Sequence, residues 1–158
     1  MAIYQCYFTL YDKTLLNLRL SDLLTNDIKL ALTTSAYVVD EALDEFFDVD
    51  ITNEIAASFG YTAGGILLTT KILDEIASGQ YVFSADNISL AATGGAITAH
   101  TAILYDDTPV SNKPLLGYGY LDYNEGSPSS VVIEDTKTLF ITVPSLGFFY
   151  TQKQNGLS

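Results

Sequence analysis

The chain has 158 residues, the usual size of one domain, and its 19 acidic and 7 basic residues give a net charge of −12. A protein of this charge repels phosphate groups, so we expect neither a nucleic acid nor an anionic membrane as a partner. A single cysteine and a single histidine argue against an internal disulfide and a zinc site, and we expect no metal and no cofactor.

The N-terminal residues carry no basic region followed by an apolar run, and no apolar run approaches the roughly 20 residues that span a bilayer. The sequence therefore predicts a soluble protein that folds in a cytoplasm without a signal peptide. Its many tyrosine, phenylalanine, threonine and valine residues favour strands. Only 16% of the residues are charged, below the usual fraction of about a quarter, which predicts that other protein covers much of the surface.

Leucine is frequent in the first part of the chain, at positions 15, 16, 18, 20, 23 and 24. This spacing predicts a short helix or turn before a strand at residues 28–33. We expect a single domain over residues 1–158 and interpret residues 1–27 as a possible docking arm, because the strands that follow explain this apolar segment only in part. Its candidate interface residues are Tyr4, Tyr7, Phe8, Leu15 and Leu16.

The next segment, residues 35–58, is both acidic and aromatic, and we name it the acidic excursion. We expect short helices at residues 40–46 and 52–57. Charge runs usually face water, so the segment is interpreted as a solvated loop over Phe46 and Phe47. Calcium binding and acid–base catalysis are the alternatives, since both use clustered carboxylates. The carboxylates are Asp40, Glu41, Asp44, Glu45, Asp48 and Asp50.

The stretch "SFGYTAGGILLTT", residues 58–70, poses a choice between a phosphate-binding loop and a corner. A phosphate loop places its glycines before a helix and ends in Gly-Lys-Ser or Gly-Lys-Thr. Here strand-forming residues follow the glycine pair, and glycine reaches positive φ without a steric clash. The sequence therefore predicts a structural corner formed by Gly60, Tyr61, Gly64 and Gly65.

After this corner the pattern changes to strands about every 8 to 12 residues, the spacing of a β-sandwich or barrel. Residues 97–106 are apolar on both faces, which predicts a central strand. We expect no catalytic residue, and we predict the all-β class: a single antiparallel β-sandwich with short helical pieces in the N-terminal third. The predicted strands are 65–73, 80–84, 87–92, 97–106, 114–122, 129–134, 138–143 and 147–151.

His100 lies in the middle of the predicted central strand, and no nucleophile motif accompanies it, so it is interpreted as a packed structural residue. Asp106 ends that strand and is expected to accept a hydrogen bond from a nearby backbone N–H. Three tyrosines follow, Tyr118, Tyr120 and Tyr123. Such a row belongs to a core, to a protein interface or to a face that stacks on sugars, and the sequence leaves these alternatives open.

Five segments follow one another in a set order: "IKLALTTSAYVVDEALDEFF", "TNEIAASFGYTAGGILLT", "YVFSADNISLAATGGAITAHTAILYDDT", "KPLLGYGYLDYNEGS" and "LFITVPSLGFFY". Together they resemble a family of small virion structural proteins of tailed bacteriophages, over about residues 28–150. Members of that family often carry tryptophans near the excursion and after the Phe-x-Ala-Asp segment. Phe46 and Leu90 stand at about those places here, and the location within the virion is left open.

The resemblance implies a jelly-roll-like sandwich that serves as a capsid decoration or cement protein and not as an enzyme. Its partner would be the major capsid protein, at the capsid surface of a virion assembled in the host cytoplasm. The low fraction of charged residues and the exposed sheet edges in addition predict a homotrimer. The alternative is a tail or fibre module that binds a host glycan through Tyr118, Tyr120 and Tyr123, with calcium held by the acidic excursion.

Overall fold

The structure is a computed structural model that describes residues 2–5, 8–124 and 127–151. Strands contain 41% of the residues and helices 9%, which confirms the all-β class. The helices of the described ranges are single turns, and all precede Phe59, as the sequence predicts. They are α1 (Thr14–Asn17), α2 (Asp22–Thr25) and α3 (Phe47–Asp50).

The two helices predicted within the acidic excursion, at residues 40–46 and 52–57, are wrong. At the first, the N–H of Leu43 donates to both the carbonyl and the carboxylate of Asp40, and these bonds close a turn. At the second, Asn53 has a positive φ of 58° and lies outside any helix. Aspartate and asparagine offer the backbone hydrogen bonds that compete with a helix, which explains both differences.

Several short strands replace some of the longer ones that the sequence predicts. The predicted strand 65–73 is divided at Thr70, whose φ is positive, and the predicted strand 97–106 is divided at His100. The strands are β1 (Ala2–Gln5), β2 (Thr9–Leu10), β3 (Ile28–Thr33), β4 (Ile66–Leu67), β5 (Ile72–Ala77), β6 (Gln80–Ser84), β7 (Ile88–Ala91), β8 (Ile97–Ala99), β9 (Thr101–Asp106), β10 (Leu115–Tyr120), β11 (Asp122–Asn124), β12 (Ser127–Ser129), β13 (Val131–Ile133), β14 (Thr138–Thr142) and β15 (Phe149–Tyr150).

The largest sheet has five antiparallel strands in the order β2-β10-β9-β3-β4. Every residue of β9 is buried, and in β3 only Lys29 is partly exposed. Both strands carry apolar side chains on both faces, so the sheet must be covered on both sides. The prediction of a central strand is thus confirmed for Thr101–Asp106.

Four smaller sheets complete the fold, in the orders β1-β14-β7, β15-β6-β5, β13-β8 and β11-β12. They are antiparallel except for the parallel pair of β1 with β14. One apolar cluster joins three of them to a face of the five-stranded sheet, through side chains that include Leu30, Leu104, Phe83, Ile97 and Leu139. The predicted antiparallel all-β character is confirmed, whereas the prediction of one single sandwich is not, because the sheets are small and several.

His100 marks the point at which the chain passes from one sheet to another. Its N–H donates to the carbonyl oxygen of Thr33, and its carbonyl oxygen accepts from the N–H of Leu121. The residues before it, in β8, pair with β13, whereas those after it pair with β3 and β10. The β13-β8 sheet is therefore connected to the five-stranded sheet through this residue.

The acidic excursion covers the second face of the five-stranded sheet. A separate apolar cluster lies on that face. It contains Ala31, Ile103 and Tyr105 of the sheet and the buried Tyr11 and Tyr37, and residues that pack with them include Leu115, Phe47 and Ile51. The ring of Phe47 stacks on that of Tyr105, with centroids 3.8 Å apart and planes 7° apart. The excursion is therefore a packed layer.

The predicted docking arm, residues 1–27, is attached to the sheets along most of its described length. β1 pairs with β14, and β2 pairs with β10. Tyr11 and Leu23 are buried, and Leu18 and Leu20 pack against the main cluster. In the described ranges no helix has both the length and the apolar character needed to cross a membrane.

Candidate docking surface

The glycine corner joins the acidic excursion to β4. Gly64 and Gly65 have φ values of +85° and +84°, and strand β4 follows them instead of a helix. A Cβ on Gly65 would lie 2.1 Å from the carbonyl oxygen of Leu30, and one on Gly60 would lie 2.4 Å from that of Ala91. Glycine is required here because the chain passes directly against neighbouring backbone.

Tyr61 holds this corner against the edge of β3. Its buried hydroxyl accepts the N–H of Leu32 at 3.0 Å and donates to the Glu54 carboxylate at 2.6 Å. The same carboxylate oxygen accepts the N–H of Gly64 at 2.6 Å. Burial and the bond to Glu54 raise the pKa of Tyr61 above its usual range. All four predicted corner residues thus lie at one structural junction.

Asp40, Glu41 and Asp48 of the acidic excursion are exposed, as expected of a solvated loop, but its carboxylates also accept hydrogen bonds from the protein, which the sequence did not predict. Asp50 accepts two excursion N–H groups, and Asp48 accepts those of Asn112 and Lys113. The Asp44 carboxylate accepts the hydroxyl of Tyr37 at 2.6 Å. The remaining contacts join Asp40 to the N–H of Leu43, Glu41 to the hydroxyl of Tyr118, and Glu45 to Lys13 and Asn17.

Two of these carboxyl groups, Glu45 and Asp48, have a lowered pKa. Bonds from Asn17 and Lys13 hold the pKa of Glu45 below its usual value. Burial opposes ionisation of Asp48, but the N–H groups of Lys113 and Asn112 outweigh it and lower the pKa of that carboxyl. At Glu45 and Asp48 the excursion is therefore held by hydrogen bonds that weaken when the carboxylate is protonated.

We expect the protein to lose stability as the pH falls below about 4. A carboxyl whose pKa is depressed by folding contributes stability that is fully present above its unfolded pKa and is lost as pH falls through the folded pKa. Asp48→Asn removes one such group, so its free energy of unfolding should depend less steeply on pH in this window. Urea unfolding across the window measures the slope, with Glu134→Gln as the control, and a slope equal to that of the wild type in Asp48→Asn would contradict the prediction.

Helix α1 presents two of the predicted interface residues, Leu15 and Leu16, which are 61% and 80% exposed. The buried Thr14 beside them donates its hydroxyl to the carbonyl oxygens of two β10 residues, at 3.0 and 2.9 Å. The Lys13 ammonium lies 3.2 Å from Glu45, and Asn17 donates to the same carboxylate at 3.0 Å. The leucine pair is thus held in place and faces solvent.

The other predicted interface residues of the N-terminal segment are placed differently. Phe8 packs edge-to-face on Phe148, with ring centroids 5.1 Å apart, and lines an apolar groove of about 530 Å³ beside residues 144–150. Tyr7 lies outside the described residues. Tyr4 belongs to β1, and only its backbone is described, paired with Ile141.

The three predicted tyrosines form one aromatic row. The rings of Tyr118 and Tyr120 meet at 6.0 Å, and those of Tyr120 and Tyr123 stack at 5.9 Å with planes 28° apart. Tyr123 is 60% exposed. At the other end Tyr118 donates its hydroxyl to Glu41, and burial and this bond raise the pKa of Tyr118 to about 12. The row runs from the excursion to an exposed ring.

His100 and Asp106 are buried and hydrogen-bonded, as expected of structural residues. The Nδ1 atom of His100 lies 2.9 Å from the hydroxyl oxygen of Thr101, and the ring contacts Tyr120 edge-on. Asp106 accepts the backbone N–H of Thr108 at 2.9 Å, which confirms the predicted turn contact.

The described ranges contain no group of three or more His, Cys, Asp or Glu side chains that could hold a metal ion. Comparisons with protein-family models, with curated proteins and with solved structures found no match to this chain.

Sequence reasoning did not identify the role of Glu54, which joins Tyr61 to Gly64, or the way in which the excursion carboxylates are used. A donor that is distant in sequence leaves no local signal, and Asp48 receives its bonds from residues 112 and 113. The tyrosine spacing did identify Tyr118 and Tyr120 as neighbours, because alternate residues of β10 share one face, whereas Tyr123 joins them from β11.

Proposed function

We propose that this chain is a structural protein of a tailed-phage virion that decorates and stabilises the capsid by binding the outer surface of the major capsid protein. The ordered resemblance over about residues 28–150 supports this role. The observation that carries it is the pair Leu15 and Leu16, both exposed on helix α1. Thr14 holds this helix to β10, and Asn17 holds it to Glu45 of the excursion. An exposed apolar pair on a rigid support is typical of a binding surface.

We further propose that the sheets form a jelly-roll-like sandwich and that three copies associate. The apolar cluster shared between the five-stranded sheet and the smaller sheets supports a sandwich. Strand β5 supports association, because it is an edge strand and five of its six residues are exposed. The net charge of −12 supports a position on the outside of the shell, away from packaged DNA.

The leucine pair provides the direct test. We expect Leu15→Ser/Leu16→Ser to change the free energy of unfolding by no more than about 1 kcal/mol, because both side chains are exposed. Binding to capsid shells that lack this protein should weaken about tenfold or more, since an apolar anchor is lost. Cosedimentation with purified shells measures the binding. A truncation of residues 2–12 is a poorer test, because it removes the buried Tyr11 as well.

Leu67→Ser/Leu146→Ser is the matched control, because it removes two other leucines that are about half exposed. It should bind shells as the wild type does. Cryo-electron microscopy of the virion tests the location itself. Density for the chain at positions of the icosahedral lattice supports the proposal, whereas density only at the tail or the portal vertex contradicts it.

The second candidate function is glycan binding by a tail or fibre module, and the exposed ring of Tyr123 at the end of the aromatic row favours it. A tyrosine ring offers a sugar an apolar face with a polar hydroxyl at its edge. In that case Tyr123→Ala should abolish binding on a glycan array, whereas Tyr150→Ala, which removes another half-exposed tyrosine, should not. Calcium-dependent binding would support this candidate, and an array without signal for the wild type would end it.

A further inference from the structure

The most exposed large aliphatic side chains belong to segments that contact one another. Among the described residues, six large aliphatic side chains are more than 60% exposed: Leu15, Leu16, Val38, Leu43, Val49 and Val110. They belong to residues 12–17, which include α1, to the acidic excursion and to the loop 107–113. We name these three segments together the outer layer.

The three segments contact one another directly. The N–H of Asp12, just before α1, donates to the carbonyl oxygen of Glu41, and Lys13 Nζ donates to that of Leu43. On the other side the N–H of Phe47 donates to the carbonyl oxygen of Lys113 at 2.7 Å. The outer layer is therefore a single structural unit, and its exposed aliphatic side chains are not scattered over the protein.

The outer layer is packed against the sheet by its other side. Phe47 stacks on Tyr105, and the buried hydroxyl of Tyr37 connects Tyr11 to Asp44. A surface segment normally turns its apolar side chains inward and its charged ones outward. Here the exposed side carries apolar side chains as well as carboxylates, and the exposed Asp48 carboxylate joins the excursion to the backbone of the loop 107–113. A second protein surface would bury the exposed set.

The charge around this apolar surface indicates what covers it. Exposed carboxylates of the outer layer include Asp12, Asp40, Glu41 and Asp48, whereas its two lysines, Lys13 and Lys113, are partly buried and paired with Glu45 and Asp107. A second copy bound through the same surface would bring two acidic rims together, because a two-fold interface is self-complementary. A surface with lysine and arginine around an apolar centre is complementary instead.

We infer that the outer layer docks onto a larger virion component whose surface is apolar at its centre and basic at its rim. This inference rests on the proposed role in the virion and assigns the docking surface and the charge of the partner. Contacts between copies of this chain then use another surface, such as the edge of β5.

The test compares the free protein with purified phage particles by hydroxyl-radical footprinting. In the particles, oxidation of Leu16 and Leu43 should fall to the level of the buried Leu30, whereas Leu146, which is 56% exposed, should stay reactive. When variants compete with the wild type during infection, Val38→Ser/Leu43→Ser should be lost from particles. The matched control Val132→Ser/Leu146→Ser should be retained.

A charge substitution tests the sign of the charge on the partner's surface. Asp12→Lys should reduce incorporation into particles, and Glu134→Lys, which makes the same change at an exposed site outside the outer layer, should not. Equal incorporation of both, or protection of Leu146 in place of Leu43, would overturn the inference and leave the capsid proposal standing. Protection of Leu43 in a chain located at the tail would support the inference and end the capsid proposal. Absence of the chain from particles would end both.

Discussion

Gly65→Ala is expected to lower the free energy of unfolding by about 3 kcal/mol or more, through steric overlap added to backbone strain. A Cβ at this position would lie 2.1 Å from the carbonyl oxygen of Leu30 and 2.6 Å from the Cα of Ala31. Both atoms belong to the backbone of β3, whose side chains fill both apolar clusters, so the strand cannot move aside. Urea unfolding monitored by circular dichroism measures the change.

Gly94→Ala is the matched control, because Gly94 has a φ of +79° and a Cβ there would meet nothing within 4 Å. Its cost should be about 1 kcal/mol, from the strained φ alone. The difference between the two variants then isolates the close approach of the corner to β3. Equal losses in the two variants would show that the close approach of Gly65 to β3 does not require a residue without a Cβ.

Tyr61→Phe is expected to cost about 2–3 kcal/mol, because it leaves a buried N–H without its acceptor. Tyr61 is only 3% exposed, and its hydroxyl accepts the N–H of Leu32, a residue that is fully buried in β3. The variant also removes a donor from Glu54, which keeps the N–H of Gly64. Thermal unfolding measures the loss.

Tyr118→Phe serves as the control for this substitution. Tyr118 also donates its hydroxyl to a glutamate, at 2.8 Å, but that bond is exposed to solvent. Water replaces an exposed partner, so the cost should stay within about 0.5 kcal/mol. A large loss in Tyr118→Phe, or none in Tyr61→Phe, would contradict the role given to burial.

Where a structural signal is local, the sequence predicts it well. The predicted strands 28–33 and 80–84 have the bounds of β3 and β6, because apolar, aromatic and β-branched residues make up most of each. The break in the predicted strand 65–73 depends on a distant group. The Asp86 carboxylate accepts the hydroxyls of Thr69 and Thr70, and these bonds accompany the positive φ of Thr70.

In the candidate site, too, the features with a local sequence signal were predicted, and those set by distant residues were not. The spacing of Tyr118 and Tyr120 predicts that their rings share a face, which the structure confirms, and the tertiary structure adds Tyr123 from β11 to this row. The acidic run predicts a solvated loop, but the structure makes it a layer fastened by its own carboxylates. Asp48 receives its hydrogen bonds from residues more than sixty positions away, which no reading of the local charge pattern can reveal.

The sequence by itself determined the all-β class, the acidic charge and the positions that require glycine, because these follow from side-chain shape, ionisation and the lack of a Cβ. It could not determine which leucines face solvent. Leu16 is 80% exposed, whereas Leu23 is 1% exposed within a similar run. The tertiary structure decided this, because the Thr14 hydroxyl donates to two carbonyl oxygens of β10 more than a hundred residues away and so turns α1 with its leucines outward.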